Sequence, residues 1–123
     1  MNEVFAFLKE CGAFFIITDN NGAPAGRPFS SMIEDGNDLI IGVSNMKDIY
    51  RQLKTNSRIQ IVSLNGGSKW IRANGYALEE YDSSELKEKL FKEDNYVRTH
   101  FSGPSDERLC IFRVDVLDYH IYE

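Results

Sequence analysis

The apolar positions change period along the chain. Val4, Phe5, Leu8 and Cys11 recur at helical spacing, and Gly12 suits the left-handed position just past a helix end. A short helix therefore opens the chain, starting near Asn2 or Glu3. Residues 13–18, Ala-Phe-Phe-Ile-Ile-Thr, are aromatic and β-branched and too short for an ordinary helix, so they predict a buried strand. Asp19-Asn20-Asn21-Gly22 supplies turn chemistry, because an Asn-Gly pair tolerates positive φ. A second strand over residues 25–34, a turn at Asp35-Gly36-Asn37 and a third strand over residues 38–43 complete an antiparallel meander.

The period then switches. Over residues 46–55, Ile49 and Leu53 stand one turn apart, Tyr50 widens the apolar face, and Asn56 ends a helix. Residues 58–64 return to strand character, Asn65-Gly66-Gly67-Ser68 turns, and residues 69–79 form a long strand. Asp82 and Glu85 have capping-box spacing ahead of a helix bearing Leu86, Leu90 and Phe91. Tyr96, Val97, His100 and Phe101 suggest a further amphipathic turn, Ser102-Gly103-Pro104-Ser105 a loop, and residues 108–122 a closing strand. The order α-β-β-β-α-β-β-α-(α)-β, with mostly local hairpins, argues against a doubly wound parallel sheet. It predicts a mainly β, α+β fold: a six-stranded antiparallel barrel, closed or partly open, with short flanking helices.

Length and charge narrow this picture. A chain of 123 residues is expected to be one domain, with a core but no room for a large enclosed active site, so a ligand of cofactor size needs a second subunit to cover it. A net charge of −5 opposes nucleic acid or an anionic membrane as the main partner. No apolar run approaches a membrane span, and Met1 to Val4 lack the basic region of a secretory leader, so we expect a cytoplasmic protein. Cys11 and Cys110 match no CxxC spacing and are expected as buried free thiols. With two histidines and no close cysteine pair, no metal site is expected.

Three segments carry candidate chemistry. In the first, Lys47, Arg51 and Lys54 lie at i, i+4 and i+7 on one helix face, with Asp48 the only acid nearby. Ser44 and Asn45 precede the helix and are good N-cap types. A helix start with free N–H groups and an adjacent lysine suits phosphate; the plain alternative is a solvated face with Asp48 and Arg51 paired. In the second, Arg27-Pro28-Phe29-Ser30-Ser31, proline marks an edge or bulge, and a mid-strand guanidinium beside Phe29 suits a phosphate or carboxylate. The alternative is an edge strand protected against aggregation. In the third, Ile71, Ala73, Gly75 and Ala77 form a small apolar face, opposite Trp70, Arg72, Asn74 and Tyr76. That second face suits a subunit interface or the wall of an aromatic ligand, or an ordinary exposed face. His100 and His120 are read as structural in preference to catalytic. No serine nucleophile and no glycine-rich phosphate loop is present.

Taken in order, Arg27-Pro28-Phe29, the Asp35-Gly36 turn, Ile41-Gly42-Val43-Ser44, Lys47-Asp48-Ile49-Tyr50-Arg51-Gln52-Leu53 with Asn56, and Trp70-Ile71-Arg72-Ala73-Asn74-Gly75-Tyr76-Ala77 resemble the pyridoxamine 5′-phosphate oxidase-like family, and in particular its small bacterial nitroimidazole-reductase and general-stress-protein members. The resemblance implies a split β-barrel that dimerises, with FMN in two clefts at the subunit interface. It implies FMN phosphate against Arg27, Ser44 and Lys47, joined by Arg51. The flavin ring would lie beside residues 29–31 and be walled by Trp70 or its neighbours from the partner subunit. The chain departs from the family in lacking an R-x-x-x-L-K motif and an assignable C-terminal arginine set, so pyridoxamine phosphate oxidase activity itself is not expected. The reading that follows is an FMN-dependent oxidoreductase taking electrons from a reduced nicotinamide to a small nitro or quinone-type acceptor. The rival is a non-catalytic flavin- or haem-type binding module for storage or sensing. An OB-like binder of nucleic acid is opposed by the charge.

Overall fold

The computed structural model describes residues 2–123; Met1, part of the stretch read for a leader, lies outside the described residues. Helix α1 (Glu3–Cys11) begins where the Asn2 side chain accepts from Phe5 N–H and ends at Gly12, whose φ of 83° only glycine adopts freely. Its buried face, Val4, Phe5, Phe7 and Leu8, enters the main core. Seven strands follow: β1 (Phe14–Asn20), β2 (Ala23–Phe29), β3 (Ile33–Asp35), β4 (Asp38–Ser44), β5 (Arg58–Leu64), β6 (Trp70–Glu80) and β7 (Leu109–Tyr122). Helix α2 (Asp48–Thr55) joins β4 to β5, and α3 (Ser84–Glu93) and α4 (Asn95–His100) join β6 to β7.

All seven strands belong to one open antiparallel sheet in the order β2-β1-β5-β6-β7-β4-β3. The count corrects the expected six. The strand expected over residues 25–34 is two strands on opposite edges: β2 pairs with β1, and β3 pairs with β4. The ladder ends at Phe29, just after Pro28, which has no N–H to donate. Residues 30–32 then leave the sheet, and the buried Ser31 hydroxyl donates to Asp94 (2.6 Å) instead. The two edge strands flank the gap that leaves the barrel split.

The faces of β6 follow the alternation read from the sequence. Ile71, Ala73 and Ala77 are buried in the main core with Phe112, Ile16 and Ile61. A register shift at Asn74/Gly75 brings the Asp115 carbonyl oxygen within 2.0 Å of where a Gly75 side chain would begin, so no other residue fits there. A smaller core packs Leu90 and Val97 from α3 and α4 against Ile40, Leu109 and Ile111. Gly42 on β4 permits this, since an added Cβ would stand 2.7 Å from Leu90 Cδ2. Asp82 and Glu85 do not form the expected capping box; Ser83 occupies the N-cap of α3 with no side-chain cap bond.

Candidate functional site

An open cleft of about 1040 Å3 lies at the split, lined by the end of β2, the segment from Gly42 into α2, and α4 with the turn before β7. Eight of the sequence-predicted residues line it: Arg27, Pro28, Phe29, Ser30, Ser31, Ser44, Lys47 and Asp48. The structure adds Gln52, Tyr96, His100, Phe101 and Arg108.

Arg27 forms the floor. Ala25, Arg27 and Phe29 alternate toward the half-buried side of β2, and Phe29 packs on Phe14 with ring centroids 6.1 Å apart. The Arg27 Nη1 donates to the carbonyl oxygens of Ile16 (3.1 Å) and Ala25 (3.0 Å) and to Thr18 Oγ1 (2.9 Å). Its Nη2 donates to Gln52 Oε1 (2.6 Å), which also accepts from Thr18 Oγ1 (2.5 Å). Burial lowers the Arg27 pKa, and the Asp48 carboxylate partly offsets this. The guanidinium is thus fixed in orientation, and its Nε–H meets no acceptor among the described residues.

Helix α2 starts later than the sequence suggests. Ser44 and Asn45 do not cap it. The Ser44 carbonyl oxygen accepts from Lys47 N–H (3.1 Å), its hydroxyl accepts from Met46 N–H (3.2 Å), and Lys47 takes the N-cap position without a side-chain cap bond. Asn45 is drawn away instead: its backbone N–H donates to the Arg108 carbonyl and its side chain to the Glu107 carbonyl, at 2.9 and 3.0 Å. The first turn of α2 therefore offers backbone N–H groups with no side-chain acceptor, beside the Lys47 ammonium at the rim. Arg51 stands apart from the cleft lining, donating to Asn20 Oδ1 (3.1 Å).

The back of α2 is tied down. Glu79 on β6, only 8% exposed in its side chain, accepts from Tyr50 Oη (2.9 Å) and Lys54 Nζ (3.0 Å). Burial opposes ionisation of Glu79, but these two donors outweigh it and hold its pKa below normal. The bond to Glu79 pushes the Tyr50 pKa up to about 12. Cys110, close by, is pushed up to about 11 by burial and the Glu79 charge, so it is a poor nucleophile. Cys11 and Cys110 are free, and both are half-buried rather than fully buried as expected, lying at the margin of the core.

The opposite wall is α4. Asp94, buried, accepts from Tyr96 N–H (2.9 Å) and Val97 N–H (3.3 Å) through Oδ1, and from Ser31 through Oδ2. One carboxylate thus joins α4 to the segment that follows β2. His100 stacks on Tyr96 with centroids 3.9 Å apart, and its Nδ1 lies 2.9 Å from the Tyr96 carbonyl oxygen. A carbonyl only accepts, so Nδ1 carries the proton. Arg108 lies over the Phe101 ring and pairs with Asp106 at 2.7 Å; that bond and backbone N–H groups hold the Asp106 carboxyl well below its ordinary range.

Trp70 and Arg72 do not line the cleft of their own chain. Trp70 stacks on Tyr122 (4.2 Å, 16°), and Arg72 lies over both rings on the outer face of the sheet. Among the described residues, no group of three or more His, Cys, Asp and Glu side chains is arranged to hold a metal ion. No described helix is long and apolar enough to cross a membrane.

An open antiparallel split barrel with a donor-lined cleft at its seam defines the class. The chain belongs to the pyridoxamine 5′-phosphate oxidase family, whose model matches residues 1–121. Among solved structures it is similar to a NimC/NimA family protein from Clostridium acetobutylicum, with 26% identity, TM-score 0.90, and 98% of this chain and 85% of that chain covered. It shares its fold with general stress protein 26 from Bacillus anthracis (14% identity, TM-score 0.80, 96% and 89% covered). It also shares its fold with HutZ, the haem storage protein from Vibrio cholerae (14% identity, TM-score 0.74, 99% and 94% covered). No curated protein matches the chain.

Proposed function

We propose that this protein is a homodimeric FMN-dependent oxidoreductase, passing electrons from a reduced nicotinamide to a small acceptor of the nitro or quinone type. The observation that carries the reading is the polar lining of the cleft, which consists largely of hydrogen-bond donors. The uncapped first turn of α2, the Lys47 ammonium, the Ser44 hydroxyl and the fixed Arg27 guanidinium face a ligand with one carboxylate, Asp48, among them. FMN, with an anionic phosphate and carbonyl and ring-nitrogen acceptors, fits such a donor set. Lys47 and the α2 turn would hold the phosphate, and Phe29 and Tyr96 would flank the ring. When bound, the flavin supplies two-electron transfer; the chain's own residues bind it, orient it and keep water from it.

A second copy fits the outer face of the sheet. Phe15 (52% exposed) and Leu64 (64% exposed) lie there beside Val62, in register with Arg72 and Trp70. Such an apolar face on adjacent strands favours burial against another subunit. Purified protein should be yellow or quench FMN fluorescence on titration, run as a dimer in light scattering, and consume NADPH with a quinone or nitro acceptor. Unchanged FMN fluorescence at high micromolar protein refutes the reading.

Haem is the second reading. His100, with Nδ1 occupied by the Tyr96 carbonyl, leaves Nε2 as its lone-pair nitrogen, the arrangement an iron ligand needs. A haemin Soret shift that disappears in His100→Ala, together with indifference to FMN, favours this alternative.

A further inference from the structure

Gln52 is a polar side chain on the buried face of α2, between Ile49 and Leu53, and only 3% of it is exposed. Its orientation is dictated by its neighbours. Arg27 only donates, so it requires the oxygen of the Gln52 amide rather than its nitrogen, and the Thr18 hydroxyl, which accepts from Arg27 Nη1, donates to that same oxygen. The Nε2 must therefore face the other way, and no acceptor among the described residues meets it. No fully buried side-chain polar atom among the described residues lacks a partner, so Nε2 reaches the surface of the cleft that Gln52 lines. A nearly buried amide donor is thus locked in one direction, toward the ligand space.

We infer that Gln52 is a ligand-binding residue whose Nε2 donates to a carbonyl or ring-nitrogen acceptor on the edge of the flavin ring. The inference rests on the flavin reading and deepens it. The phosphate and the ring make different demands. A charged phosphate suits the exposed Lys47 and the free N–H groups at the rim. A neutral donor held nearly buried on the floor suits a neutral acceptor, because both partners are desolvated without stranding a charge. Arg27 then acts through Gln52 as a positioning residue, since its Nη2 fixes which atom of the amide faces out. A porphyrin presents no such acceptor on its ring edge apart from its propionates.

The test is Gln52→Glu. The carboxylate keeps an acceptor for Arg27 and Thr18 and replaces the outward donor with an acceptor. Thermal melts report that the fold is kept. Dissociation constants for riboflavin and FMN, measured by fluorescence quenching, are both expected to rise about ten- to hundredfold. Equal affinity in wild type and Gln52→Glu overturns the inference and leaves the flavin reading standing. Weakened FMN with unchanged riboflavin assigns Gln52 to the phosphate and overturns the ring assignment. A wild type that binds neither flavin overturns the flavin reading and this inference with it. If Gln52→Glu does not fold, the wild-type protein decides. The Gln52 side-chain amide resonances should shift when riboflavin is added, and an unmoved pair overturns the inference.

Discussion

Asp94 is the side chain whose loss should be felt at two places at once. Replacing it by alanine removes the N-cap of α4, where Oδ1 accepts from Tyr96 and Val97 N–H. Caps of this kind contribute about 1 kcal/mol. The same change removes the acceptor of the hydroxyl of Ser31, a residue only 1% exposed whose side chain has no other partner among the described residues. A buried hydrogen bond to a charged group contributes about 1.5–3 kcal/mol. Asp94→Ala should therefore destabilise by about 3 kcal/mol. With an unfolding entropy of about 2 cal/mol/K per residue, that is a fall in Tm of roughly 12 °C for a domain of this size. Asp94→Asn keeps the capping oxygen, and the Ser31 hydroxyl rotates to accept from the new amide, so its loss should stay near 1 kcal/mol. Urea melts followed by far-UV circular dichroism, run as a double-mutant cycle with Ser31→Ala, isolate the Ser31–Asp94 coupling at about 1–2 kcal/mol. Hydrogen exchange at Tyr96 and Val97 should quicken in Asp94→Ala. Stability within 0.5 kcal/mol of wild type, with unchanged exchange, would refute the claim that one carboxylate joins the two walls.

Three further outcomes are expected. Glu79 has its pKa held below the usual 4.5 in the folded chain, so the stability it adds is present above that value and is lost as pH falls through the folded pKa. Glu79→Gln should lower Tm at pH 7, and the gap to wild type should close in thermal melts as pH falls below the usual carboxylate range and through the folded pKa. Gly75→Ala drives a methyl into the Asp115 backbone carbonyl, which has no rotamer to escape with. We expect a loss of about 3 kcal/mol or failure to accumulate as folded protein, read by circular dichroism and expression. Lys47→Ala should weaken FMN about tenfold and leave riboflavin unchanged in fluorescence titrations, with the difference shrinking at high salt.

The legible parts of the fold are those where burial repeats along the chain. The alternation of Ile71, Ala73 and Ala77 on β6, and the spacing of Ile49 and Leu53 on α2, carry the core directly. The division into β2 and β3 was only partly legible: Pro28 marks an edge or bulge, but the bond that holds Ser31 off the sheet comes from Asp94, sixty-three residues away. Asn45 fails as a cap for the same kind of reason: carbonyl oxygens near the start of β7 capture its donors, and no local spacing records that competition. The α4 wall was legible only as an irregular stretch, since a six-residue helix has too few positions to show a period. Arg27 stood out as a charge in mid-strand. Gln52 carried a usable signal, a polar residue on the apolar face of α2 beside Leu53, which predicts a partnered amide but not the free donor facing the cleft.

The passage from β2 to β3 limits how far the sheet can open. Phe29 is the last residue of one edge strand and Ile33 the first of the other, and only residues 30–32 lie between. Four Cα steps span at most about 14 Å even when fully stretched. The two rims at that end of the seam are therefore leashed. However the protein breathes, they cannot separate beyond the reach of three residues, two of which, Ser30 and Ser31, line the cleft. Lengthening this tether by insertion lets the two edges of the sheet move further apart, and shortening it by one residue draws them together.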